Sequence, residues 1–91
     1  MKIVVTDPNL TPHRDRLEAM LPPGSDVRWH PGGAPDEELR DAEVFVGSRF
    51  TAEMARTAGS LRLVHPAAAG TDKIDLAALP PEVLVANTFH L

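Results

Sequence analysis

Small and polar residues follow several short apolar stretches of this sequence, and they are the first candidates for chemistry. Residues 66–70 read Pro-Ala-Ala-Ala-Gly, so a loop formed here carries little side-chain bulk. A ligand can approach the backbone N–H groups of such a loop closely, which suits a carboxylate or a phosphate. Small residues would equally let the loop pass close to a neighbouring strand, and composition leaves both interpretations open.

Polar residues also follow the first and third apolar stretches. Ser48 and Arg49 come directly after residues 44–47, and Arg49 supplies a cation that an acidic substrate could meet. A solvated arginine ahead of a helix is the simpler interpretation of that residue. Asp7 faintly resembles the acidic site of a receiver domain. Such a domain needs a phospho-acceptor aspartate after its third strand, where this chain has Gly47, Ser48 and Arg49.

Several common kinds of site are not expected in this chain. Its four histidines show neither HExxH nor paired ligand spacing, so we predict no metal site and a structural role for His65. None of the six glycines forms a G-x-G-x-x-G turn, so we predict no cofactor-binding residue. There is no G-x-S-x-G, and the serines have no evident base partner. We therefore assign no catalytic residue.

The elements that would position the candidate residues alternate between short apolar strands and short helices. Strands are predicted at residues 3–5, 26–29, 44–47, 61–65 and 83–86, and helices at 12–21, 36–39, 52–58 and 72–79. Thr11 and Thr51 are the expected N-caps of the first and third helices. Continuous apolar strands joined by helices indicate a parallel sheet buried on both faces. The predicted fold is α/β, a small flavodoxin-like parallel sheet of about five strands with flanking helices.

Composition limits the classes of function that the chain can serve. Its 91 residues suffice for one domain, and 43% hydrophobic residues are typical of a globular protein. A net charge of −4, scattered arginines and 4% aromatic residues argue against nucleic-acid binding. The sequence has no apolar run long enough for a membrane span and no signal peptide. The absence of cysteine fits a cytoplasmic protein.

A family resemblance lies in the last third of the chain. Residues 61–76 contain Ala-Gly-Thr-Asp-Lys-Ile-Asp at 69–75, and the apolar stretch 83–86 leads into Asn87 and Thr88. This arrangement resembles the D-isomer-specific 2-hydroxyacid dehydrogenase family, whose pattern is A-G-x-D-x-I-D followed by a strand that ends in Asn. Residues 46–51 also resemble the third strand of that family and the threonine that opens its next helix. The resemblance is specific over about 61–88.

The resemblance implies that residues 1–91 are part of the substrate-binding (catalytic) domain of an NAD(P)-dependent oxidoreductase. Such an enzyme interconverts 2-keto acids and D-2-hydroxy acids. Ala69 and Gly70 would present backbone amides to the substrate carboxylate, and Ser48 and Arg49 would be further substrate-binding residues.

The resemblance also implies what the rest of such an enzyme supplies. The nucleotide-binding domain, which holds NAD or NADP, and the catalytic arginine and histidine follow residue 91 in the family. We therefore expect these residues to bind no cofactor, to be inactive alone and to belong to a homodimer when complete. An alternative is a free-standing flavodoxin-like binding or interaction module without catalysis.

Overall fold

The structure is a computed structural model that describes residues 1–47, 49–66 and 75–85. Three of the predicted substrate-binding residues, Ser48, Ala69 and Gly70, lie outside the described residues. The strands are β1 (Lys2–Val5), β2 (Asp26–Trp29), β3 (Val44–Gly47), β4 (Leu63–Pro66) and β5 (Leu84–Val85). The helices are α1 (Arg14–Met20), α2 (Asp36–Leu39) and α3 (Ala52–Thr57), with 3₁₀ turns at Pro8–His13 and Leu76–Ala78.

The five strands form one sheet in the order β2-β1-β3-β4-β5, and all neighbouring strands are parallel. This confirms the predicted α/β fold, and the order is that of a flavodoxin-like sheet. Strand β2 pairs with one edge of β1, and β3 pairs with the other edge. The strand order therefore reverses between β1 and β3, and crossover connections diverge there to opposite faces.

One face of the sheet carries the hydrophobic core. Val4, Phe45 and Val64 lie in register on β1, β3 and β4, and none of them is exposed to solvent. Residues from α2 and α3 and from the segments beside them pack over this row. The ring of Phe50 meets that of Phe45 edge-on, with centroids 4.9 Å apart and planes at 63°. Burying each large apolar side chain contributes about 1.5–3 kcal/mol.

The opposite face of the sheet is less completely covered. The turn Pro8–His13 and α1 lie over it, and an apolar groove of about 350 Å³ remains between them and the strands. The groove is lined by Ile3, Leu10, Leu17, Leu21, Val44, Val46, Leu63 and His65. Burial on both faces is thus nearly complete at β1 and partial at β3 and β4. The edge strands β2 and β5 are partly or fully exposed.

The start of the first helix differs from the prediction that Thr11 caps it. The side chain of Asp7 instead accepts a hydrogen bond of 2.9 Å from the N–H of Asn9, and the helical path begins at Pro8 as a 3₁₀ turn. Pro12 interrupts hydrogen bonding inside that turn because it has no N–H. Helix α1 consequently begins at Arg14, and its N-cap His13 makes no capping side-chain hydrogen bond.

The other boundaries follow the prediction with shifts at their ends. Thr51 caps α3 as predicted, because its Oγ1 accepts the N–H of Met54 at 3.3 Å. Strand β4 begins at Leu63 because the N–H of Leu61 is held by the carbonyl of Ala58 in a turn. Within the described part of residues 72–79 there is only the 3₁₀ turn Leu76–Ala78.

A network of charged side chains joins β1 to α2. The Nζ of Lys2 lies 3.0 Å from Oε2 of Glu38 and 2.6 Å from Oδ1 of Asp41, and Nε2 of His30 lies 2.8 Å from Oε1 of Glu38. Hydrogen bonds with His30 and Lys2 hold the pKa of Glu38 below its ordinary value. The hydrogen bond from Lys2 does the same to the pKa of Asp41.

These lowered pKa values predict a loss of stability in acid. The unfolded chain takes up protons near the ordinary values of 4.5 for Glu38 and 3.8 for Asp41, before the folded chain does. The contribution is therefore present above these values and is lost as the pH falls through the lowered, folded values. We expect Glu38→Gln to flatten the dependence of the urea midpoint on pH below about 5. Glu37→Gln, on the same helix, is the matched control, and identical pH profiles for the two variants would contradict the assignment.

Candidate functional site

A small cavity lies between the carboxyl ends of β1, β2 and β3, at the point where the strand order reverses. Its volume is about 180 Å³. The described residues that line it are Thr6, Gly32, Gly33, Ala34, Arg49, Thr51 and Met54. Ligands of open parallel sheets bind outside the carboxyl ends of the strands at such a reversal. This edge is therefore the candidate site.

Thr6 holds the centre of the cavity in place. It directly follows β1 and is 8% exposed. Its N–H donates to the carbonyl of Val46 at 2.9 Å, and its carbonyl accepts the N–H of Gly32 at 2.9 Å. The backbone of one residue thereby ties the end of β3 to the loop that follows β2.

The loop after β2 forms one wall of the cavity with backbone alone. Gly32 and Gly33 have φ values of +93° and +149°, a region that residues with a Cβ rarely adopt. The N–H of Gly33 donates to the carbonyl of His30 at 3.0 Å and closes the turn. A Cβ built on either glycine would point into open space, so the wall leaves room for a ligand.

Gly47 allows β3 to end close to Thr6. A Cβ at this position would overlap Oγ1 of Thr6 and would lie 2.9 Å from Cε2 of Phe45. No side chain larger than hydrogen fits there without moving one of these two neighbours. The glycine thus preserves the position of the Thr6 hydroxyl at the reversal point.

Arg49 is the one predicted substrate-binding residue that the structure describes, and it lies at this cavity. It is exposed, and no carboxylate of a described residue lies within 4.0 Å of its side-chain nitrogens. Thr51 lies beside it at the start of α3. Sequence reasoning missed Thr6, Gly32 and Gly33 as site residues, although each follows a predicted strand.

The described residues that flank 67–74 lie at the same edge. Pro66, at the end of β4, is in register with Gly47 at the end of β3. Asp75, the first described residue after 67–74, donates its N–H to the carbonyl of Phe50 at 2.8 Å. Pro66 and Asp75 are therefore both held close to the residues around Arg49.

Asp7 and His65, two other residues that the sequence singled out, do not belong to the described lining of the cavity. Asp7 is 5% exposed, and its carboxylate caps the turn Pro8–His13. His65 belongs to the apolar groove on the sheet face, and its Nδ1 is buried without a hydrogen-bond partner among the described residues.

Among the described residues, no group of three or more acidic, histidine or cysteine side chains is placed to hold a metal ion. No helix in the three described ranges has the length and apolar character to cross a membrane.

Comparison with known proteins finds similarity among solved structures. No protein-family model matches the chain, and no curated protein matches it. Among solved structures, the chain is similar to an NAD⁺-bound 3-phosphoglycerate dehydrogenase of Entamoeba histolytica, with a TM-score of 0.70 and 26% sequence identity. The match covers 97% of this chain and 32% of that chain, so this chain spans about a third of that protein's length. At a coarse level the chain is a dehydrogenase-like α/β domain.

Proposed function

We propose that this chain is the substrate-side segment of an NAD(P)-dependent D-2-hydroxyacid dehydrogenase. The observation that carries the proposal is the structural match, which extends over 97% of the chain and involves a dehydrogenase whose bound cofactor is NAD⁺. The motif at 69–75, which resembles the same family, supports it independently because sequence order and fold agree.

The roles proposed for individual residues follow from the chemistry of the substrate. Ala69 and Gly70 present backbone N–H groups to the carboxylate of a 2-keto or 2-hydroxy acid, since their small side chains leave those groups accessible. Arg49 adds a positive charge at the same edge of the sheet, and Ser48 adds a hydroxyl donor. None of these groups is proposed to carry the hydride or the proton.

The remaining parts of the reaction are assigned to other residues of the complete enzyme. A nucleotide-binding domain supplies NAD or NADP, since no glycines of this chain have the G-x-G-x-x-G spacing. The complete enzyme is proposed to be a cytoplasmic homodimer that binds neither nucleic acid nor membrane. These 91 residues alone are proposed to be inactive.

The coding sequence offers the first test. Translation of the coding DNA beyond the codon of Leu91 is expected to reveal a predicted strand followed by G-x-G-x-x-G within about 80 residues. An acidic residue is expected about 20 positions later. Absence of that turn from every frame would count against the dehydrogenase.

A free-standing flavodoxin-like binding module without catalysis is the alternative, and the core of the five-stranded sheet is compatible with it. In that case the 91-residue chain melts cooperatively, and small carboxylates raise its Tm by preferential binding to the folded state. Broad melting without a carboxylate effect would remove this alternative.

A further inference from the structure

We propose that Met54 is a modification site, at which oxidation of the thioether to the sulfoxide loosens the start of α3 and the wall of the cavity beside it. Met54 is half-buried in the first turn of α3 and belongs to the lining of that cavity. The site is independent of the proposed dehydrogenase reaction, because oxidation acts on the fold of the chain itself.

The sulfur of Met54 takes part in the cap of α3. The N–H of Thr51 donates to Sδ of Met54 at 3.4 Å, and the N–H of Met54 donates to Oγ1 of Thr51 at 3.3 Å. This reciprocal pair is a capping box, in which Glu or Gln ordinarily occupies the position of Met54. A thioether sulfur is a weaker acceptor than a carboxylate or amide oxygen, so its half of the cap is easily lost.

The same side chain also packs against the hydrophobic core. Met54 and Ala55 lie against the buried cluster that includes Phe45 and Phe50. Oxidation replaces the apolar thioether with a polar, chiral sulfoxide, and burial of a polar group without a hydrogen-bond partner is unfavourable. Packing and cap therefore both depend on the reduced sulfur. Because Thr51 lines the same cavity, loss of the cap also changes the cavity wall.

The cavity gives a small oxidant access to Met54. Its volume of about 180 Å³ corresponds to about six water molecules at their share of about 30 Å³ each, so hydrogen peroxide fits. The sulfur lone pair attacks one peroxide oxygen, an S–O bond forms and the O–O bond breaks. The departing hydroxide takes the proton of the transferred oxygen and leaves as water. The sulfur thereby loses two electrons, and the peroxide is reduced.

The other two methionines are internal controls. Met1 is 51% exposed and Met20 is 75% exposed, and neither belongs to the buried cluster. Their oxidation leaves a polar group in water, where it costs little. Cleavage after lysine and arginine separates the three residues, because residues 50–56 contain only Met54 and residues 17–28 contain only Met20.

Graded oxidation of the 91-residue chain with hydrogen peroxide tests the site. Mass spectrometry of the tryptic peptides gives the fraction of each methionine that carries the added oxygen of about 16 Da. Thermal unfolding of the same samples, followed by circular dichroism, gives the Tm. We expect oxidation of Met54 to lower the Tm by about 4–8 °C and oxidation of Met20 to leave it unchanged. Methionine sulfoxide reductases should restore the original Tm.

Two outcomes of this titration would overturn the proposal. One is a Tm that stays constant while Met54 becomes fully oxidised. The other is a Met54 that resists peroxide for as long as the chain is folded, because the proposal requires access to the side chain in the native state.

Two substitutions make the test specific. Met54→Leu keeps an apolar side chain of similar volume, so this variant is expected to fold, and its Tm should not respond to peroxide. Met20→Leu is the matched control and should respond as the wild-type chain does. In the control the NMR signal of the Thr51 amide should shift as Met54 is oxidised, because this N–H loses its acceptor. An equal fall of the Tm in both variants would refute the assignment to Met54.

Discussion

Phe45→Ala is expected to lower the free energy of unfolding by about 3–5 kcal/mol. Phe45 lies on the central strand β3, has no solvent exposure and contacts the ring of Phe50. Truncation to Ala leaves a cavity beneath α2 and α3 that the buried neighbours cannot fill without leaving their rotamers. A chain of this size has a total stability of only about 5–10 kcal/mol, so much of it would be lost.

Urea unfolding followed by circular dichroism measures this effect. Leu84→Ala on β5 is the matched control, since Leu84 is also a large apolar residue of the sheet but is 69% exposed. We expect the control to change the free energy of unfolding by no more than about 0.5 kcal/mol. Similar losses in the two variants would mean that the core is not centred on Phe45.

Gly47→Ala is expected to lower the free energy of unfolding by about 2 kcal/mol, as overpacking of a filled interior does. The added methyl group would overlap Oγ1 of Thr6 and press on the buried ring of Phe45. Rotation of Thr6 would relieve part of the overlap and would move its hydroxyl away from the cavity.

Gly59→Ala separates this steric effect from the general effect of replacing glycine. A Cβ at Gly59 would meet no atom within 4 Å, and the residue does not have a positive φ. Its substitution should be neutral or should stabilise the chain by about 0.4–1 kcal/mol through the unfolded state. Equal destabilisation by the two substitutions would show that the contacts of Gly47 are unimportant.

Local sequence signals predicted most of the elements of the fold. The short apolar stretches at 3–5 and 44–47 correspond to β1 and β3. They were predictable because a short run of apolar residues is the signal of a buried strand. Thr51 was recognisable as a cap because a hydroxyl before a helical stretch satisfies a free N–H. Thr11 failed as a cap because Asp7, four positions earlier, captures the Asn9 N–H and begins the turn first.

The candidate site was only partly predictable, because it depends on strand order. Periodicity predicts strands but does not say which strands are neighbours. Thr6, Gly32 and Arg49 meet only because β2 and β3 flank β1 on opposite sides. Arg49 could be anticipated at the carboxyl edge, where polar residues after parallel strands collect. The hydroxyl of Thr6 and the open glycine wall could not be anticipated without that order.

The most direct test of the proposed function is NADH and NADPH oxidation with a panel of 2-keto acids. The protein translated from the reading frame extended beyond Leu91 is compared with the 91-residue chain. We predict turnover by the extended protein and none by the shorter chain. In the extended protein, Gly70→Val should raise the KM of the keto acid by about tenfold, a loss of about 1.4 kcal/mol in carboxylate binding, whereas Gly59→Ala should leave it unchanged. Oxidation by the 91 residues alone, or no oxidation by the extended protein with any keto acid, would contradict this account.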